Sequence, residues 1–297
     1  MEAAFVLPVN SVKNTQFCPN PAFFAPHANT TNAVFCVILI KYPSTVPHQI
    51  NASCSNRSQA IMQSREKNRL FGILKWVFFS LCLLCTAVLV ATPIRRIMPQ
   101  SYVPIKMTAS VSFVLTAVTA FLSVNGRSPK FKRFGLGIII AAALSSAGDF
   151  AINKVFIVGM ALFFISLLTY FATCLITGRP GKRFLITAAV IYIPFITLLI
   201  ALPGFELGSL AVPVAIYALT ILCFAVKAFD VFGHKSVNAK LFSIGALLFL
   251  LSDMVQLVER FYALSQAALT VCDSLDLLLY FPAQALIAVS LSEDFLS

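Results

Sequence analysis

The apolar residues of this chain fall in blocks rather than in narrow stripes. From about residue 70 onward, mostly apolar runs alternate with short polar connections. Each run has about 18–23 residues, enough to cross a ~30 Å hydrocarbon core as a helix. They predict eight spanning helices, at approximately 70–91, 103–124, 135–152, 155–176, 184–202, 209–231, 239–259 and 275–292. Only Asn153 and Lys154 separate the third from the fourth, which predicts a tight helical hairpin. No stretch alternates with period two, so a β-barrel is not expected. The predicted fold class is therefore all-α, a polytopic membrane helix bundle.

Residues 1–65 read differently. They are polar, contain Asn, Ser and Pro, and show no clear helical period. Their one apolar run, AVFCVILI at 33–40, is too short to span. The start MEAAFVLPVN lacks the basic stretch and apolar core of a signal peptide. The expectation is a mostly disordered extension over 1–65 and a membrane domain over 66–297.

Composition agrees with the pattern. The chain is 59% hydrophobic, has a mean hydropathy of +0.89, and is only 11% charged, against roughly a quarter for soluble domains. A net charge of +11 raises the question of a nucleic-acid partner. The placement of the cations argues against one. Arg57, Arg65, Lys67 and Arg69 precede the first span. Arg127, Lys130, Lys132 and Arg133 follow the second, Arg179, Lys182 and Arg183 the fourth, and Lys235 and Lys240 the sixth. The opposite side has Arg95, Arg96, Lys154 and Arg260, about four against thirteen. This is a positive-inside signal, and it puts both termini in the cytosol, with anionic lipid as the partner of the basic loops. The sequons at Asn29, Asn51 and Asn56 would then be cytosolic and carry no glycan.

Two aspartates break the apolar blocks. Asp149 lies in GLGIIIAAALSSAGDFAI and Asp253 in LFSIGALLFLLSDMVQLV. A charge within a span costs several kcal/mol or more, so such residues face a protein interior or a wet cavity and mark function. Both spans run in the same direction, and each aspartate lies about 14 residues in. At 1.5 Å per residue, both are roughly 20 Å from the cytosolic face and able to meet. Tyr217, Tyr280 and Gln284 reach a similar zone. Lys106 can snorkel outward or lean toward the carboxylates. Asp273 and Asp276 stand at the rim, and Lys75 and Lys227 read as snorkelling anchors. The bland alternatives are a solvated helix end for Asp149, a helix-to-helix hydrogen bond for Asp253 or Gln284, and packing for the tyrosines.

Other chemistries lack their residues. The histidines, His27, His48 and His234, all lie outside the spans. A zinc site or a Ser-His-Asp triad is not expected, and no cofactor is implied. Cys82 and Cys85 form a CxxC inside a span, without the electropositive exposed setting of a redox pair, and read as packing. The basic loop GRPGKRF at 178–184 lacks P-loop spacing. Intramembrane aspartyl proteases carry Tyr-Asp first, then Gly-x-Gly-Asp, then Pro-Ala-Leu. Here Gly148-Asp149 comes first, the second acid is in Ser252-Asp253, and Pro282-Ala283 continues to Gln284, a poor match.

From residue 104 onward the chain resembles the YhhN family, also called TMEM86 or lysoplasmalogenases. The matching words are Lys106, Ser146-Ala147-Gly148-Asp149, Phe156-Ile157-Val158-Gly159-Met160 with Phe163 and Tyr170, and Val212-Pro213 with Tyr217-Ala218. They continue with Gly245 through Phe249 to Ser252-Asp253, then Phe261, and Tyr280-Phe281-Pro282-Ala283-Gln284 with Leu286-Ile287. The resemblance implies an eight-span hydrolase of the endoplasmic reticulum or a bacterial inner membrane. Its substrates would be lysoplasmalogens, cleaved at the vinyl ether to a fatty aldehyde and glycerophosphocholine or glycerophosphoethanolamine. Proton delivery to carbon gives an oxocarbenium-like cation, which water then captures. One carboxyl can supply the proton and a second can stabilise the cation or activate water. On this reading Asp149 and Asp253 are the catalytic pair. Tyr217, Tyr280 and Gln284 orient the ether oxygen or water, and Lys106 holds the phosphate. One departure stands out. Family members commonly carry His three residues before the tyrosine of span four, where this chain has Leu167. The competing expectation is a non-enzymatic lipid-binding or proton-coupled transport protein of the same fold. Spans three and seven, four apart and each with Gly or Ser before Asp, give a faint hint of a parallel repeat.

Overall fold

The computed structural model describes residues 48–91, 99–124, 127–152, 154–232 and 236–293. The chain divides into two units, residues 1–65 and 66–297. The expectation of disorder over 1–47 lies outside the described residues. From His48 onward the chain is helical, well upstream of the first predicted span. Polar residues such as Gln63, Arg65, Glu66 and Lys67 propagate a helix readily once an apolar segment holds it.

Among the described residues eight α-helices follow one another: α1 (His48–Ala91), α2 (Pro99–Ser123), α3 (Pro129–Ile152), α4 (Phe156–Leu175), α5 (Lys182–Ala201), α6 (Ala211–Phe232), α7 (Val237–Phe261) and α8 (Gln266–Val289). All eight contain a stretch long and apolar enough to cross a membrane. The described residues contain no strand, and the protein is an all-helical, multi-pass membrane protein.

Six of the helices close a ring. The tightest pairs are the hairpins α3–α4 and α7–α8. Helix α2 packs against α3 and α8, and α6 packs against α4 and α7. Helix α5 leans on α6 from outside. The spanning windows of α1 and α5 are each 17% buried, against 33–44% for the ring helices, so these two are peripheral. The first and second halves of the chain therefore pack in the same order, one outlying helix followed by three ring helices.

Small residues permit the tight pairs. A methyl group on Gly159 would lie 2.5 Å from the Ile152 Cα, so only glycine lets the start of α4 fold back against the end of α3. A methyl on Gly245 would meet Ile287 Cγ1 at 2.8 Å and the Ala283 carbonyl oxygen at 2.9 Å, so glycine sets the approach of α7 to α8. Short links complete the turns. Val155 N–H donates to the Ala151 carbonyl, and Ser236 and Ser265 cap α7 and α8 by accepting from Ala239 N–H and Ala268 N–H.

Below the middle of the ring the core is aromatic. Tyr170 stacks on Phe224, with Phe249 edge-on, and Phe242 contacts both Phe134 and Phe224. Cys82 and Cys174 are buried here with free thiols, and Cys82 Sγ–H reaches the Phe281 carbonyl at 3.8 Å. Lys227 lies inside the bundle, unlike a lipid-facing anchor. It is 1% exposed, its Nζ is 3.5 Å from Asp230, and it donates to the Arg179 carbonyl.

Candidate active site

Asp149 sits one turn before the end of α3, with Ser145 one turn deeper on the same face. Its Oδ2 accepts from Ser110 Oγ at 2.6 Å and from Tyr280 OH at 2.9 Å. Its Oδ1 lies 3.6 Å from Lys106 Nζ. Ser110 and Lys106 are one turn apart on α2, so a single helix face presents a cation and a hydroxyl to the same carboxylate. Asp149 is 2% exposed, and Lys106 keeps 13% of its side chain accessible.

Asp253 lies on α7, two turns before its end, and is held differently. Its Oδ2 accepts from Tyr217 OH of α6 at 2.9 Å. No cation stands within ion-pair distance of it among the described residues. The pairing follows the ring: the helix preceding each acidic helix supplies the partner, Lys106 from α2 and Tyr217 from α6.

Both aspartates line one small polar cavity, together with Lys106, Tyr280, Gln256 and Asp276. A second cavity adjoins it and shares Ile152, Phe163, Asp253 and Gln256. Its remaining lining is mostly apolar (Phe156, Met160, Val214, Leu257, Phe261), with Tyr217 and Arg260 added. These residues come from the ends of α3 and α7 and the starts of α4 and α6, so the outer cavity lies toward the end of the bundle and the polar one deeper. The two spaces form an amphipathic cleft with the acids at its inner wall.

The structure thus brings together five residues expected at the site: Lys106, Asp149, Tyr217, Asp253 and Tyr280. Gln284 is placed elsewhere. It is one turn deeper on α8, where its Oε1 accepts from Tyr170 OH at 2.7 Å and its Nε2 donates to Ser145 Oγ at 3.3 Å. Ser145 in turn pairs with Ser166 at 2.7 Å, and Ser166 donates to the Ala141 carbonyl. This network lies between the cleft and the aromatic core, and Gln284 lines neither cavity. Leu167 is fully buried on α4, in the same layer between Phe163 and Tyr170.

Sequence reasoning put Asp276 at the rim, but it faces the polar cavity and accepts from Ser252 Oγ at 2.5 Å. The signal was present: Asp276 and Tyr280 are spaced i, i+4, and share a helix face. Gln256 and Arg260 follow Asp253 along α7 at the same kind of spacing. Three carboxyl groups therefore border one cavity, but among the described residues no three His, Cys, Asp or Glu side chains converge closely enough to hold a metal ion.

A scan against protein families matches residues 101–291 to the YhhN family. The chain belongs to the YhhN family. The match covers α2 through α8, that is, the whole ring and every cavity-lining residue named above, and it leaves α1 outside. Comparisons with curated proteins and with solved structures find no match. As a YhhN protein the chain places the aspartates of its Ser-Ala-Gly-Asp and Ser-Asp words on opposing hairpins of one ring.

Proposed function

We propose that this protein is a membrane hydrolase that cleaves the vinyl ether bond of lysoplasmalogens, releasing a fatty aldehyde and glycerophosphocholine or glycerophosphoethanolamine. The observation that carries the reading is the shared cavity of Asp149 and Asp253 with unequal partners. Asp149 faces a cation and two hydroxyl donors, the surroundings a carboxylate needs. Asp253 accepts from one phenol and has no cation within ion-pair distance among the described residues, so the proton-carrying role falls to Asp253. The cleft beside them is apolar at its outer part, as an alkenyl chain requires.

In this mechanism the Asp253 carboxyl donates its proton to the alkene carbon remote from oxygen. The C=C electrons form that C–H bond, and the ether oxygen shares the resulting positive charge with its neighbouring carbon. Asp149 stands across the cavity as the compensating anion, fixed by Lys106, Ser110 and Tyr280. Water adds to the cationic carbon and gives a proton back to the Asp253 carboxylate. The hemiacetal then breaks its bond to the glycerol oxygen, its hydroxyl proton passes to that oxygen, and the aldehyde leaves. The proton count closes with no cofactor. A location in the endoplasmic reticulum membrane fits the lipid substrate and is part of the same proposal.

The packing beneath the cleft favours hydrolysis over proton-coupled transport. The hydrogen-bonded Tyr170–Gln284–Ser145–Ser166 network and the buried phenylalanine layer stand between the acids and the basic end of the bundle. The test is purified protein incubated with lysoplasmalogen, with aldehyde release followed in the wild type and in Asp149→Asn and Asp253→Asn. Loss in both variants is expected. Full activity in both would end the proposed mechanism.

A further inference from the structure

The cation expected to hold the substrate's phosphate, Lys106, is already matched by Asp149 and sits at the inner cavity. The outer cavity has a different cation. Arg260 lines it from the last turn of α7, exposed, with its guanidinium 5.5 Å from the Phe156 ring centroid. No carboxylate lies within ion-pair distance of it among the described residues. Asp253, Gln256 and Arg260 follow one another on one face of α7, and Asp253 and Arg260 are two turns, about 10 Å, apart along the axis. The side chain of Arg260 shortens that gap to a span the glycerol backbone of a lysophospholipid can cover. Its position at the helix end also puts the guanidinium where headgroups lie when a chain enters from the bilayer.

We infer that Arg260 is the phosphate anchor of the cleft, and that it makes this protein select single-chain ether lipids bearing a phosphate over neutral ones. The inference rests on the lipid-substrate reading above and adds the specificity residue to it. A guanidinium presents two parallel N–H groups to phosphate oxygens, and the aromatic ring of Phe156 steadies its plane. Gln256, between Arg260 and the acids, is in place to contact the glycerol oxygens.

Binding separates this inference from the hydrolysis reading. The full-length protein in nanodiscs is titrated with two saturated ethers of equal chain length, which vinyl ether chemistry cannot cleave: an alkyl glycerophosphocholine and an alkylglycerol. The wild type is expected to prefer the phosphate-bearing lipid by roughly tenfold to a hundredfold, the size of a charge-assisted contact. Arg260→Gln should abolish most of the preference, Arg260→Lys should restore part of it, and Arg183→Gln, at the opposite end, should leave it intact. No preference in the wild type, or an undiminished one in a folded Arg260→Gln, overturns the inference. Aldehyde release from lysoplasmalogen by the same preparations bears on the hydrolase reading alone, so either can fail without the other.

Discussion

The two halves of the ring carry out the same construction with different chemistry. In each, a hairpin (α3–α4 or α7–α8) brings an aspartate to the central cleft, and the preceding ring helix supplies its partner. The first half answers Asp149 with an ammonium group, and the second answers Asp253 with a phenol. Similarly packed acids need not have similarly charged partners. In the proposed mechanism this difference in partners is what would make Asp149 the fixed anion and Asp253 the proton carrier.

Substitutions can break or sharpen that contrast. The largest effect is expected from Asp253→Asn, which removes the proton donor and should slow aldehyde release by about 10²–10⁴-fold, with binding of a saturated ether lysolipid retained. An unchanged rate would erase the division of labour between the halves. Lys106→Met comes next, because it strands a buried carboxylate. A loss of about 3–5 kcal/mol is expected, read as a fall in thermal midpoint. The double variant Lys106→Met, Asp149→Leu should regain most of that loss, and failure to do so would mean that the pair is not coupled. Gln284→Met should cost about 1–3 kcal/mol by leaving the buried Tyr170 hydroxyl without its acceptor and Ser145 with Ser166 alone. It should leave the KM for lysoplasmalogen unchanged, since Gln284 lies beneath the cleft, and a large rise in KM would return it to the substrate's surroundings. Tyr217→Phe is expected to be the mildest for stability, about 1 kcal/mol for one hydrogen bond. A cost as large as that of Lys106→Met would show that the two halves hold their acids equally firmly.

Much of the architecture was legible because long apolar blocks report their own environment. All eight spans were readable, and the aspartates stood out by their cost. Helix starts were harder. The third span read as starting near 135, but α3 begins at Pro129, because proline suits a first turn and Ser128 Oγ accepts from Phe131 N–H at 3.2 Å. The eighth read as starting near 275, but α8 begins at Gln266, since the polar run through Asp273 and Asp276 lowers hydropathy without hindering a helix. That error in the start put Asp276 at a rim, when it is a full helical turn from Tyr280 and inside. Gln284 shows a second limit. Depth along the span put it in a similar zone to Tyr280, but only the neighbouring helices decide whether a residue one turn deeper meets a cavity or a closed network.

The ring seals α2 directly against α8, so the first transmembrane crossing adds no wall to the reaction vessel. Substitutions on the exposed side of α1, such as at Ile73 or Leu84, should therefore leave the cavity walls untouched, whereas Cys82, buried against the Phe281 carbonyl, ties this helix to the core.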